Sequence, residues 1–166
     1  MRAVTYQQIT LTVSDGAVAE LCLNRPDVRN AMTAQMGDEI VAAVAELNAM
    51  DDLRAVIVRG AGKSFSSGGD LSMLEARTRL SGEVNRRGMR EFYGKYLAVR
   101  ELRVPTIAAL HGHAVGAGMC FALGCDIRLA ATDTKMGVTF VRVGLHPGMG
   151  ATFLLPRIVG HARASE

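Results

Sequence analysis

Apolar and polar residues alternate from Ile9 to Val13, and a second run, Ala17–Leu23, follows the turn-forming Ser14-Asp15-Gly16. A period of two puts one face of an extended chain against a core, so the two runs are expected to pair as a β-hairpin. Asn24-Arg25-Pro26-Asp27 breaks the pattern. From Thr33 the period changes: Met36, Ile40, Val44 and Leu47 recur at helical spacing and predict an amphipathic helix over 33–49, with Thr33 as its N-cap. Gly37 weakens that helix by about 1 kcal/mol relative to alanine.

A β-branched strand is expected over 55–59, then a Gly/Ser loop, then Asp70 as the cap of a short helix at Leu71–Glu75. Residues 76–103 are the least defined, although Met89, Phe92, Tyr96, Val99 and Leu102 predict a helix over 88–102. Pro105 sets off a strand at 106–110, and Gly112, Gly116 and Gly118 lead into a helix at 117–124. A strand at Ile127–Ala131, a short strand or turn at Lys135–Val138 and a helix from Ala151 to Val159 follow, and His161–Glu166 reads as the opening turn of another helix. Strands and helices alternate without a long repeat, which points to the α/β class.

Composition narrows the functional classes. The chain has 166 residues, 49% of them apolar, enough for the core of one domain. A charged fraction of 21% with a net charge of +3 argues against disorder, and 5% aromatic residues are too few for nucleic-acid stacking platforms, so no nucleic-acid partner is expected. Cys22, Cys120 and Cys125 sit in apolar runs without C-x-x-C spacing, as reduced core thiols of a cytoplasmic protein would. No signal-peptide core and no apolar run of about 20 residues is present, so no membrane partner is expected. Arg77, Arg79, Arg86, Arg87, Arg90, Lys95, Arg100 and Arg103 form either a solvated face, balanced in part by Glu83, Glu91 and Glu101, or a phosphate-facing surface.

The chemistry concentrates in His111–Asp126, HGHAVGAGMCFALGCD. A strand that breaks into glycines and re-emerges as a helix leaves backbone N–H groups without partners at a positive helix end, where negative charge is attracted. Taken alone, a tight turn between two core elements accounts for it as well. Residues 54–71, RAVIVRGAGKSFSSGGDL, repeat the design. Gly60-Ala61-Gly62-Lys63-Ser64 is not a P-loop, because Ile57 stands where the first glycine is required. Gly116-Ala117-Gly118 is not a dinucleotide fingerprint, because Phe121 stands where a small residue is needed. Helix 117–124 starts without a serine nucleophile, and no His, Cys and acidic set has metal-ligand spacing, so no metal is expected.

Three motifs occur in order: F-S-S-G-G-D-L at Phe65–Leu71, G-H-A-V-G-A-G with F-A-L-G-C-D within Gly112–Asp126, and G-L-H-P-G-M-G-A-T at Gly144–Thr152. Together they resemble the enoyl-CoA hydratase/isomerase (crotonase) family, from about Val18 to the end of the chain. The resemblance implies a crotonase-like (ClpP/crotonase) spiral of ββα units with a roughly perpendicular pair of sheets, forming one core domain over 1–166. It implies an acyl-CoA substrate, with coenzyme A as part of that substrate and no further cofactor. Family members continue into a C-terminal helical region that helps cover the site and build a homotrimer or dimer of trimers. This sequence stops at Glu166, where that region should begin, as either a fragment or a shortened protein.

By the same resemblance, the backbone N–H groups of Ser67 and Ala117 form an oxyanion hole for a thioester enolate. Phe65, Gly68, Asp70, Leu71 and Gly116 belong to the substrate loops, and Arg29, with Ala31 beside it, matches a basic position near the coenzyme A moiety. The family's two catalytic glutamates fall at Cys120 and Phe140, and the aspartate of some isomerases falls at Gly148. None of these can act as a carboxylate base, so a two-glutamate hydration mechanism is not expected. His146, in the loop of the third motif, is of the residue type best suited to proton transfer near neutrality, against the alternative of a hydrogen-bonded loop histidine. Cys120 is either a nucleophile, if helix N–H groups lower its pKa, or a small core residue. Of His111 and His113, only one can face the site if the chain is extended there. The expected function is an acyl-CoA enzyme that stabilises an enolate. The alternatives are a non-catalytic acyl-CoA-binding protein and, more distantly, a thioester hydrolase using Cys120.

Overall fold

The computed structural model describes residues 2–14 and 17–166, so Asp15 and Gly16 of the expected turn lie outside the described residues. The chain opens with β1 (Arg2–Thr5), β2 (Ile9–Val13) and β3 (Val18–Leu23), passes a 3-10 turn at Pro26–Val28 and enters α1 (Ala34–Asn48). Then come β4 (Ala55–Gly60), α2 (Leu71–Arg77), α3 (Gly82–Leu97) and a 3-10 turn at Ala98–Glu101. The rest is β5 (Thr106–Leu110), β6 (His113–Val115), α4 (Ala117–Gly124), β7 (Ile127–Ala130), β8 (Lys135–Gly137), a 3-10 turn at Phe140–Val143, α5 (Ala151–Val159) and α6 (His161–Ser165).

Among the described residues, the strands form a six-stranded sheet ordered β1-β2-β3-β4-β5-β7 and a two-stranded sheet of β6 and β8. The expected hairpin is present as antiparallel β2 and β3, with Ile9 opposite Leu23. From β3 onward the pairing is parallel: Val18 faces Ala55, Val56 faces Thr106 and Ile107 faces Ile127. Parallel neighbours need crossover connections, and each crossover returns the chain to the same end of the sheet. The loops after β4 and β5 therefore lie side by side, and a bridge from Ser66 to Ala114 joins them.

Sequence period and capping explain most of the helices. Thr33 caps α1 as expected, its hydroxyl accepting from the Met36 N–H at 3.1 Å. The buried face of α1 is Met36, Ile40, Ala43, Val44 and Leu47. Gly37, a weak helix former, lets α3 close in: a Cβ there would stand 2.9 Å from the Lys95 Cβ. The expected helix over 88–102 begins earlier, at Ser81, whose hydroxyl accepts from the Val84 N–H at 3.4 Å, and it tightens to 3-10 geometry at Ala98. Asp70 caps α2, which runs two residues past the expected end, and β1 and β6 are strands that the alternation did not reveal.

A chain of aromatic rings ties the helices to the first glycine loop. Phe92 meets Tyr96 at 5.1 Å between centroids, Tyr96 meets Phe121 at 5.8 Å, and Phe121 meets Phe65 at 6.2 Å. Burying each such ring contributes about 1.5–3 kcal/mol. The Tyr96 hydroxyl stays satisfied by donating to the Thr33 carbonyl at 2.7 Å. Among the described residues, no helix is long and apolar enough to cross a membrane.

Candidate functional site

Residues of both glycine loops line one cavity of about 480 Å³. Ser67, Gly68 and Gly69 come from the loop after β4, and Gly116 and Ala117 from the start of α4. Phe140, His146 and Gly148 come from the third motif, and α2 and α3 close the remaining side with Leu71, Met73, Leu74, Met89, Phe92 and Tyr93 among others. A second recess meets the first at Ser67, Gly69 and Leu71, and Arg29, Ala31 and Asp70 line it.

Close approach of backbone to backbone requires the glycines here. Gly68 has φ +91°, and a Cβ on it would stand 2.9 Å from the Val115 carbonyl oxygen and 3.3 Å from the Ala117 nitrogen. A Cβ on Gly118 would stand 2.7 Å from the Ser66 Cβ. The two loops therefore meet edge to edge, and both reach the cavity beside the first turn of α4.

Helix α4 is buried from Ala117 through Leu123. Its cap, Gly116, offers no side chain and donates its own N–H to the Gly137 carbonyl at 2.9 Å. The Ala117 N–H has no acceptor among the described residues, and Ala117 lines the cavity. An N–H at the positive end of a buried helix, beside an apolar cavity, is suited to hold a developing negative charge. The other expected donor differs. The Ser67 N–H already donates to the Arg29 carbonyl at 2.9 Å, so an incoming oxygen has to share or displace that bond. Arg29 and Asn30 both adopt left-handed backbone, at φ 53° and 54°, and this conformation aims that carbonyl at Ser67.

Three further residues of the motifs have defined structural surroundings. Cys120 is fully buried, does not line the cavity and directs its thiol to the Gly148 carbonyl at 3.7 Å. Burial pushes its pKa up to about 12, the opposite of what a thiolate nucleophile needs, and of the two expectations the small core residue fits this setting. Phe65 is likewise fully buried, stacked on Phe121, and packs the core behind its loop. Asp70 organises the loop: it accepts from the Ser72 hydroxyl at 2.6 Å and the Ser72 N–H at 3.2 Å, and pairs with Arg25 at 3.2 Å. Those Ser72 hydrogen bonds, with help from Arg25, hold its carboxyl below the usual range.

The histidines separate clearly. His146 is exposed and lines the cavity. His111 bonds the Gly62 carbonyl at 3.1 Å, His113 lies in β6 and His161 in α6, and none of the three lines either recess. The basic residues of 77–103 are mostly a solvated face: Arg86 pairs with Glu83 at 2.8 Å, and Lys95 pairs with Asp38 at 2.8 Å and Glu91 at 3.2 Å. Arg77 is different, because it lines the cavity.

Tyr93, Arg77 and Asn85 are cavity residues that the motifs do not mark. Tyr93 lies against Gly148, where any Cβ would collide with its hydroxyl oxygen. Burial raises its pKa, with a further push from Cys120 and a counter-pull from Arg77. The phenol thus fills the space that a side chain at position 148 would occupy. The only signal for Tyr93 in the sequence was its place on the helix expected over 88–102.

Comparison with known proteins agrees with this architecture. Residues 14–166 match the family model described as enoyl-CoA hydratase/isomerase. A Mycobacterium tuberculosis protein described as the probable enoyl-CoA hydratase EchA14 is 41% identical over 155 residues, which cover 93% of this chain and 59% of that protein. The crystal structure of an enoyl-CoA hydratase from Polaromonas sp. JS666 superimposes with a TM-score of 0.87 at 32% identity, covering 95% of this chain and 61% of that one. An enoyl-CoA hydratase from Bacillus anthracis gives 0.85 at 32% identity, covering 96% and 61%. The fold is the α/β crotonase fold. The chain belongs to the enoyl-CoA hydratase/isomerase family, and it spans about three fifths of the length of these relatives.

Proposed function

We infer that this chain forms the acyl-CoA-binding and enolate-stabilising core of an enoyl-CoA hydratase/isomerase-type enzyme. The observation that carries this reading is the unpartnered Ala117 N–H at the start of a buried helix, beside a largely apolar cavity. A thioester oxygen gains negative charge when the α-carbon loses a proton or the β-carbon gains a nucleophile, and a fixed N–H at that oxygen lowers the barrier. The Ser67 N–H becomes the second donor when it turns from the Arg29 carbonyl to the substrate. Arg29, at the mouth of the adjoining recess, lies where a phosphate-bearing coenzyme A can reach it. His146, exposed in the lining, takes the proton from the α-carbon and returns it. Assembly into a trimer through a C-terminal helical region belongs to the same reading.

A second reading, an acyl-CoA-binding protein without catalysis, is favoured by one observation. Among the described residues, no Asp or Glu lines the cavity. One experiment separates the two. Crotonyl-CoA and butyryl-CoA in deuterated water, followed by NMR, report hydration, double-bond migration and α-proton exchange together. The enzyme reading expects at least one of these well above buffer, with loss in His146→Ala. Binding without any of them supports the second reading.

A further inference from the structure

We propose that the cavity takes an acyl group ending in a carboxylate, with Arg77 as the cation that receives it; this rests on the acyl-CoA reading above. A plain alkyl chain would need only the apolar part of the lining, such as Leu71, Met73, Leu74, Met89 and Phe92. Arg77, at the end of α2, and Asn85, on α3, add a polar wall to it.

Neither residue is satisfied within the protein. The Arg77 Nε and the Asn85 Oδ1 are both buried without a hydrogen-bond partner. The Asn85 amide cannot simply flip to relieve this, because its Nδ2 donates to the Arg77 carbonyl at 2.9 Å and the Leu80 carbonyl at 3.3 Å. Its neighbours Arg86 and Lys95 have carboxylate partners, whereas among the described residues no carboxylate pairs with Arg77. A buried guanidinium N–H without an acceptor is costly, and native proteins seldom leave one so.

The guanidinium is fixed in the cavity wall. The guanidinium lies over Gly88, where a Cβ would stand 2.6 Å from Nη1, so α3 holds the side chain against its own backbone. Arg77 also lines a shallow outer groove with Arg87, Gly88 and Glu91, and thus forms the partition between that groove and the cavity. A guanidinium presents parallel N–H donors that match the two oxygens of a carboxylate. Asn85 Oδ1, an acceptor, repels a bare carboxylate and directs it to Arg77, leaving a place for one bridging water.

The test uses saturated ligands, so that turnover does not intervene. Calorimetry compares free coenzyme A, butyryl-CoA and glutaryl-CoA on the wild-type chain, on Arg77→Met and on Arg77→Lys, with circular dichroism to check folding. The expected result is glutaryl-CoA bound about tenfold more tightly than butyryl-CoA, a preference abolished in Arg77→Met and partly kept in Arg77→Lys. Butyryl-CoA bound as well as or better than glutaryl-CoA by the wild type overturns the proposal and leaves the acyl-CoA reading standing. A preference that survives Arg77→Met overturns the role of Arg77. Neither thioester binding better than free coenzyme A overturns both. The wild-type comparison decides the carboxylate question even if Arg77→Met does not fold.

Discussion

The Asn30 side-chain nitrogen stands 2.8 Å from the Ser64 carbonyl oxygen, deep between the loop that carries Arg29 and the loop that carries Ser67. The same nitrogen reaches the carbonyls of Ala61 at 2.9 Å and Phe65 at 3.2 Å, while Oδ1 accepts from the Arg25 N–H at 2.9 Å. Asn30 is fully buried, and its left-handed backbone is one that asparagine tolerates. Asn30→Leu strands these groups, and Asn30→Asp turns a carboxylate toward three carbonyls. Either is expected to lower stability by about 3 kcal/mol in urea unfolding, with Asp the worse. A loss near zero would mean that water replaces the amide without consequence.

Replacing Ala117 by proline isolates the contribution of one N–H. Proline is favoured at the first position of a helix, and Gly116, at ψ −125°, holds the mirror image of the extended backbone that proline accepts before it. Ala117→Pro should keep its melting temperature within a few degrees while enolate-dependent exchange falls about 100- to 1000-fold. Unchanged exchange would remove Ala117 from the site.

Stability should decline at alkaline pH. Burial pushes Cys120 and Cys125 from 9.0 up to about 12. Below pH 9 both folded and unfolded thiols are protonated and nothing is lost. Between about 9 and 12 only the unfolded chain ionises, so the folded state loses about 1.4 kcal/mol per thiol for each pH unit. Urea titrations from pH 7 to 10.5 test this, and Cys120→Ala/Cys125→Ala should flatten the decline. Alkylation of either thiol in the native protein at pH 8 should be far slower than in the unfolded one.

Tyr93 and Gly148 occupy one space. Gly148→Ala drives a methyl into the Tyr93 hydroxyl and should cost about 1–3 kcal/mol. Tyr93→Ala removes the obstacle, so the double variant should be more stable than the sum of the two single losses implies, by a double-mutant cycle. Additive losses would place the two side chains apart in solution.

The sequence was most readable where one residue sets a local geometry. Thr33, Asp70, the hairpin of β2 and β3 and the two glycine loops follow from capping, alternation and the freedom of glycine. It was least readable where distant elements decide. Strands β1 and β6 are too short for alternation to emerge, and α3 carries Gly82, Gly88 and Gly94, which hide its first turns. That Cys120 packs away from the cavity while Tyr93 and Arg77 face it depends on how α2, α3 and α4 are rotated against one another. The Ser67 N–H was expected to be open because its motif is intact. What engages it is the carbonyl of Arg29, a contact across 38 positions that no local pattern encodes.

The parallel sheet also sets an order of events during synthesis. Strand β4 finds β5 only after residues 61–105 have been made, and the bridge from Ser66 to Ala114 forms later still. Until then a nascent chain carries an unpaired, apolar strand edge and has no enclosed cavity. Pairing of such long sequence reach is slow and leaves intermediates exposed to association with other chains. Ligand recognition is thus acquired near the end of folding, and a chaperone that shields β4 in the interval would raise the yield of competent protein without touching a residue of the site.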